Sequence, residues 1–324
     1  MKLMMKQKKN LRWGIFVIAL LTVVMSACTP KPAEQQTLKF AVLPIIDSLP
    51  MYVAQEEGLF TKYNLEVELV PVGSGPERDQ LVAAGQIDGM INEVLTTIMN
   101  NRMDSNVQVV RFARAATADT ALFSIIASQK SGITSVEQLK NVQVGISEGT
   151  VIAYLTDRML EKEGFTADEI RTVAVPKIPD RMALLGSGEL QAGTMPEPLS
   201  TLLGVQGASI VLADSKYPEL SHSTIAFRTA VIEEKTEAVR SFLAAIEEAV
   251  SIINADPTKW EQTLVDNSIL PAPLQGKFQV PQFVTAGVPS QAQYDDVLNW
   301  AKSKGMISED VPYERCINAS FLPK

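Results

Sequence analysis

Five short stretches of this 324-residue chain carry side chains suited to gripping a small molecule. They are Asp47-Ser48-Leu49, Gly73-Ser74-Gly75, Asn92-Glu93, Ser147-Glu148-Gly149-Thr150, and Met195 to Leu199, in which Glu197 stands between Pro196 and Pro198. Asp47, Ser48 and Thr150 are helix-capping types that present oxygens and free N–H groups at a helix start. Glycines at 73 and 149 let a backbone approach a ligand closely, and a helix start attracts negative charge. No Gly-Lys-Ser/Thr follows Gly75, so a nucleotide-phosphate loop is not indicated. Glu93 closes one apolar run, and Glu197 has little backbone freedom between its prolines. Each residue also has a purely local reading as a cap, a turn or a solvated charge.

Other chemistry is scarce. The only histidine is His222, and the only cysteines are Cys28 and Cys316. That inventory excludes a zinc finger, a His-rich metal site, a disulfide scaffold and a CxxC redox pair. No catalytic residue, metal site or cofactor is therefore expected. Two carboxylates alone could suggest glycoside hydrolysis, but an aromatic content of 6% leaves few rings to stack on a sugar. Lys plus Arg number 29 against 37 Asp plus Glu, and the basic residues are dense only at the start, so nucleic acid is a poor partner.

The elements that must position these stretches alternate regularly. Leu38–Leu43, Leu65–Val72, Ile87–Ile91, Val107–Phe112 and Leu122–Ala127 read as strands, separated by helical patterns over Met51–Glu57, Pro76–Ala84 and Val94–Asn100. A second series holds strands at Val142–Ile146, Ile170–Val175, Leu190–Thr194 and Ser209–Leu212, with a helix over Thr150–Gly164. Thr236–Ala255 is a long helix whose apolar stripe is Val239, Phe242, Leu243, Ile246, Val250 and Ile253. Such alternation predicts α/β architecture with parallel pairing.

The motif Pro76-Glu77-Arg78, followed by Leu81, Gly85, Ile87 and Gly89, is echoed by Pro179-Asp180-Arg181, followed by Leu184, Gly188, Leu190 and Ala192. One helix-to-strand unit occurring once in each series predicts two related lobes, with the five stretches facing a cleft beyond the strand ends. Arg78 and Arg181 then occupy equivalent first turns, where a cation opposes the helix dipole; the expected reason is a local pair with Glu77 or Asp180, the alternative an anion clamp with one arm from each lobe. Asp47, Glu93, Glu148 and Glu197 all map to cleft loops and no lysine does. That surplus predicts a neutral or amine-bearing ligand.

Residues 1–27 read as an address. Lys2, Lys6, Lys8, Lys9 and Arg12 precede an apolar run from Ile15 to Met25 that is too short to cross a bilayer. Met25-Ser26-Ala27-Cys28 resembles the bacterial lipobox, with Met25 where leucine is usual; the resemblance implies acylation of Cys28. Residues 28–37, with two prolines and no large aliphatic side chain, form a tether.

The run Asp47-Ser48-Leu49-Pro50-Met51-Tyr52-Val53-Ala54, continuing to Glu57-Gly58-Leu59-Phe60, resembles the opening of substrate-binding proteins of ABC importers, in the nitrate/sulfonate/taurine and thiamine-pyrimidine-precursor class. Ala84-Gly85-Gln86-Ile87-Asp88-Gly89, Gly149-Thr150 and the closing Asn318-Ala319-Ser320-Phe321-Leu322-Pro323 carry the same resemblance, which covers Leu38 to Lys324. It implies a two-lobed type II periplasmic-binding fold, with lobe one at 38–128 plus 224–324 and lobe two at 129–223. It further implies a non-catalytic, lipid-anchored protein on the extracytoplasmic face, delivering a solute to an ABC permease and its ATPase subunits. The expected ligand contacts are Asp47, Ser48, Leu49, Gly73, Ser74, Glu93, Ser147, Gly149, Thr150, Glu197 and Pro198. An aminopyrimidine is the favoured solute class. The alternatives are a sulfonate, taurine or nitrate binder, a pyrimidine-synthase-like enzyme, and a ligand sensor.

Overall fold

A computed structural model describes residues 35–323; Cys28 and the stretch 1–27 read as an address lie outside the described residues. Ten strands run in chain order: β1 (Gln36–Val42), β2 (Leu65–Pro71), β3 (Gly89–Asn92), β4 (Val107–Ala115), β5 (Phe123–Ala127), β6 (Gln143–Ile146), β7 (Arg171–Ala174), β8 (Ala192–Pro196), β9 (Ser209–Ala213) and β10 (His222–Arg228). The helices that frame the site are α1 (Leu49–Glu56), α2 (Gly75–Ala83), α3 (Val94–Asn100), α4 (Val151–Lys162), α5 (Ile178–Ser187), α6 (Leu199–Val205), α7 (Thr236–Ala255) and α8 (Gln291–Ser303). β1 begins at Gln36, pairing with Leu65, so the first strand starts inside the stretch expected to be tether.

The strands form two five-stranded sheets, β2-β1-β3-β10-β4 and β7-β6-β8-β5-β9. The two orders correspond slot for slot. β1 is parallel to β2 and β3, as β6 is to β7 and β8. The two echoed motifs build α2 leading to β3 and α5 leading to β8, the central strands of the two sheets.

The expectation of purely parallel pairing is corrected. β10 is antiparallel to β3 and β4, and β5 is antiparallel to β8 and β9. The cause is the chain's path: β5 and β10 enter each sheet from the other lobe and fill its fourth slot against the direction of its neighbours. The lobe boundary expected at 128 is corrected with it. All five residues of β5 are buried within the second sheet, so the outward crossing falls between Ala115 and Phe123. The return falls between Ala213 and His222, a strand start that the periodicity had not revealed.

The core of the first lobe centres on α7. Its six stripe residues are all buried, as the helical spacing predicts. Phe242 stacks on Phe40 at 4.6 Å and on Phe60 at 5.4 Å, and meets Phe227 edge-on at 5.3 Å. Gly89 opens β3 against this cluster. A Cβ there would stand 2.5 Å from the Phe227 ring and 2.9 Å from Phe40.

One carboxylate holds the two crossings together. Asp214 Oδ1 accepts from Leu122 N at 3.0 Å, and its Oδ2 accepts from Phe123 N at 2.9 Å and from Ser221 Oγ. Ala116 N donates to Ser221 O at 2.9 Å, adding a direct rung between the outgoing and returning chains. Burial pushes the Asp214 carboxyl up to about 6. Next to Ser221 along the return, His222 is buried with neither ring nitrogen hydrogen-bonded, and burial pulls its imidazole down to about 4.

Two predictions follow from packing and burial. Overpacking at Gly89→Ala should cost ~1–3 kcal/mol, whereas Gly186→Ala, with open space around its Cβ in the last turn of α5, should be neutral or stabilise by up to ~1 kcal/mol. Urea unfolding of both variants checks the contrast. The second concerns pH. Asp214's contribution to stability is full below the ordinary carboxylate range and is lost as pH rises through about 6. His222's contribution is full above its unfolded value near 6.5 and is lost as pH falls toward 4. In the wild type these slopes oppose each other. Asp214→Asn removes one, so the variant should lose more stability than wild type between pH 7 and pH 5; parallel urea curves at the two pH values would refute this.

Candidate functional site

The carboxyl ends of β1, β3, β6 and β8 face one another across the space between the lobes, as they must when helices follow parallel strands. Between them lies a cavity of about 50 Å³. From the first lobe it is lined by Asp47, Gly75, Arg78, Asn92 and Glu93 among others; the second contributes Phe123, Ser147, Thr150, Ile178 and Pro196, and the returning strand adds Ser223. Typical small-molecule pockets are ~300–1,000 Å³, so the lobes are closed in this conformation.

Four of the eleven expected contacts line this cavity: Asp47, Glu93, Ser147 and Thr150. Thr150 caps α4, accepting from Ile152 N at 3.2 Å while donating to Ser147 O at 2.8 Å. Ser147 Oγ donates to Pro176 O at 2.9 Å and accepts from Arg181 Nη1 at 3.0 Å. Glu93 caps α3, where its carboxylate accepts from Thr96 N at 3.0 Å and from Thr96 Oγ1.

The other seven sit outside the lining, each for a local reason. Ser48 Oγ donates to Leu43 O at 2.8 Å, and Leu49 belongs to the apolar core. Gly73 N donates to Glu77 Oε2 at 2.9 Å and Ser74 Oγ accepts from Glu77 N at 3.3 Å, so this pair forms the cap of α2. Gly149 is the left-handed turn residue before α4, at φ +69°. Glu197 turns its carboxylate onto Ser200 Oγ and Thr201 Oγ1 at the start of α6, next to Pro198. Gly73 and Glu197 still matter to closure through their carbonyls. Gly73 O accepts from Ile178 N of the other lobe at 3.3 Å, and Glu197 O accepts from Ile46 N at 3.5 Å.

The cleft's charge differs from the expected carboxylate surplus. Asp47 pairs with Arg114 of β4 at 3.1 Å, both nearly inaccessible. Burial pushes the Glu93 carboxyl above the usual range, with Arg78 Nη2 at 3.9 Å opposing it. Arg78 itself donates to Ile91 O at 3.0 Å, Thr96 Oγ1 at 3.2 Å and Asp79 Oδ1 at 2.9 Å. The partners expected for the two arginines are thus corrected: Arg78 pairs with Asp79 rather than Glu77, and Arg181 does not pair with Asp180. Arg181 is fully buried, donates from Nη1 to Ser147 Oγ and to Val175 O at 2.7 Å, and has no partner for Nε or Nη2. Burial lowers its guanidinium to about 10, so it stays charged at neutral pH.

Three polar side chains of the lining are outside the expected contacts. Arg78 was read as a first-turn cation and Asn92 as a loop neighbour of Glu93, while Ser223 lay in the unrecognised strand β10. Its partner across the ladder is Arg114. Cys316 and His222 form no dyad. The Cys316 thiol accepts from Tyr294 OH and Asn101 Nδ2, both at 3.3 Å, and burial pushes it up. Among the described residues no group of three His, Cys, Asp or Glu is placed to hold a metal ion, and no helix is long and apolar enough to cross a membrane.

Comparison with known proteins gives the fold its relatives. The chain is 26% identical over 262 residues to a Haemophilus influenzae protein given a provisional role in thiamine biosynthesis, covering 80% of each. The ligand-binding component of an ABC-type import system from Staphylococcus aureus superposes with a TM-score of 0.71 at 16% identity, over 89% of this chain and 98% of that one. The periplasmic aliphatic sulphonate binding protein SsuA of Escherichia coli gives 0.70 at 17% identity, over 85% and 95%. The desulfurization enzyme DSZB gives 0.66 at 14%, over 88% and 97%, so the periplasmic-binding architecture serves a binder and an enzyme alike. The model of the family described as NMT1/THI5 like matches residues 45–260, well over half of the chain, and this protein belongs to that family.

Proposed function

We propose that this protein is an extracytoplasmic solute-binding component of an ABC importer, which closes its lobes on a small organic molecule and delivers it to a membrane permease. The observation that carries this reading is the interlobe cavity, where buried polar groups of both lobes converge on one enclosed space. Asp47, Asn92, Glu93 and Ser223 stand on one side, and Ser147 and Thr150 on the other. A site divided between two bodies joined by two crossing chains supports capture by closure. Enzymatic turnover finds little to work with. His222 is buried with neither ring nitrogen hydrogen-bonded, Cys316 is held by Tyr294 and Asn101, and no nucleophile–base pair lines the cavity.

The solute is a small amine-bearing or neutral organic molecule, with an aminopyrimidine as the leading class. One observation favours the alternative, a sulfonate or related oxyanion: Arg181 is a buried cation one hydrogen bond behind the cavity wall at Ser147, with no carboxylate partner. A thermal-shift panel of aminopyrimidines, small amines, taurine, alkanesulfonates and nitrate tests both. A true ligand at 100 times its dissociation constant should add ~2.7 kcal/mol, seen as a raised melting temperature with the compound recovered intact. Chemical conversion of the hit would replace capture with catalysis.

The lipobox-like Met25-Ser26-Ala27-Cys28 supports anchoring of the mature protein through a doubly acylated Cys28. Two chains suffice for stable membrane attachment. In a bacterial host, Cys28→Ser should move the protein from the membrane pellet to the soluble fraction. Retention in the pellet would remove the anchor from the proposal.

A further inference from the structure

At the floor of the cavity one hydrogen-bonding group has its polarity decided by its neighbours. Asn92 ends β3, is 1% exposed and lines the cavity. Its amide contacts Thr97 Oγ1 at 2.9 Å. A threonine hydroxyl has a single hydrogen, and Thr97 donates it to Glu93 O at 2.9 Å, one helical turn back. Thr97 Oγ1 can therefore only accept from Asn92, which turns the amide nitrogen toward Thr97 and leaves Oδ1 without a protein partner. An amide that could flip would offer a ligand either a donor or an acceptor. This one offers an acceptor only.

The surroundings do not relax that demand. Ser223 Oγ, also at the cavity, and Thr224 Oγ1, opposite Asn92 in the ladder, are buried without partners, but hydroxyls turn to suit either role. A buried acceptor left unmatched weakens any complex that contains it, and sites built around such a group reject analogues that lack the complementary hydrogen.

We infer that Asn92 Oδ1 is the specificity-determining acceptor of this site, so that its solutes must present an N–H or O–H donor to it. The inference rests on the solute-capture reading and narrows it. Aminopyrimidines and aminosulfonates pass this filter; plain alkanesulfonates and nitrate do not.

Calorimetric titration of the full chain with 4-aminopyrimidine and taurine, which carry N–H donors, and with methanesulfonate and nitrate, which carry none, tests it. The donor-bearing probes should bind at least tenfold more tightly. Asn92→Ala should weaken the tighter of them about tenfold, one hydrogen bond's worth. Thr97→Val keeps the shape, removes the lock and lets the amide turn, so it should narrow the gap between donor-bearing and donor-free probes. Circular dichroism melts of both variants establish that they are folded, and the wild-type ranking is independent of either. Capture of methanesulfonate or nitrate as tightly as the donor-bearing probes, or unchanged affinity in folded Asn92→Ala, overturns the inference and leaves solute capture standing. No binding by these probes or by any member of the thermal-shift panel removes capture itself, and this inference with it.

Discussion

The Asp214 carboxylate is the constraint on which the two-lobed arrangement turns. Each crossing between the lobes is irregular backbone whose N–H groups would otherwise lack ladder partners, and buried donors of that kind must be satisfied. Asp214 accepts two of them, at the start of β5, and also ties down Ser221 just before β10. Both strands then enter their sheets from fixed points. Three hydrogen bonds converging on this carboxyl offset part of its burial cost, and burial still leaves it raised to about 6. An amide in its place would turn a donor toward one of those N–H groups.

Behind the cavity walls, burial again decides which groups are free. Asp47 faces Arg114, and Glu93 is held between Thr96 and Arg78, so neither carboxylate is an unattached negative charge. Counting charged residues on cleft loops therefore misjudges the field a solute meets. Arg114 comes from β4, more than sixty residues along the chain from Asp47, and no local pattern announces it. The balance of charge at the site depends on tertiary pairing, whereas the balance along the loops does not.

Much of the architecture was legible because it is local. The stripe on α7, the capping of α4 by Thr150 and the repeated helix-to-strand units around Arg78 and Arg181 follow from spacing of three to four residues and from cap chemistry. The sense and slot of β5 and β10 were not legible, since pairing partners lie about seventy to a hundred and thirty residues away and both sheet faces are covered. His222-Ser223-Thr224 at the head of β10 hides the strand further, because its polar residues are buried. Expected contacts that lie outside the cavity lining include caps: Ser48, Ser74 and Glu197 have the right types at the right loops, yet spend their oxygens on their own backbone or helix start. Sequence shows that such a residue can cap; only the fold shows whether any valence is left over.

The two sides of the interlobe contact differ in what separation would cost. At the cavity mouth the lobes share the Gly73 O–Ile178 N bond at 3.3 Å, the longer Ile46 N–Glu197 O contact, and the approach of Gly75 to Thr150. Away from the mouth, α4 packs on α8. There Tyr154 meets Trp300 edge-on at 5.6 Å, both nearly inaccessible, and Trp300 Nε1 donates to Asp157 at 3.2 Å. Arg158 and Asp296 add a bidentate pair at the rim, a quarter to a third exposed and so worth little by itself. An aromatic pair with its apolar surroundings is worth more than a few backbone contacts, because parting it returns large apolar surface to water. Apolar contact continues on the cavity side as well, where Ile178, Met195 and Leu199 of the second lobe share one buried cluster with Ile45, Ile46 and Leu49 of the first. Thr150 caps α4, the helix that α8 holds, and is approached by Gly75, whereas Ile178, the first residue of α5, meets Gly73.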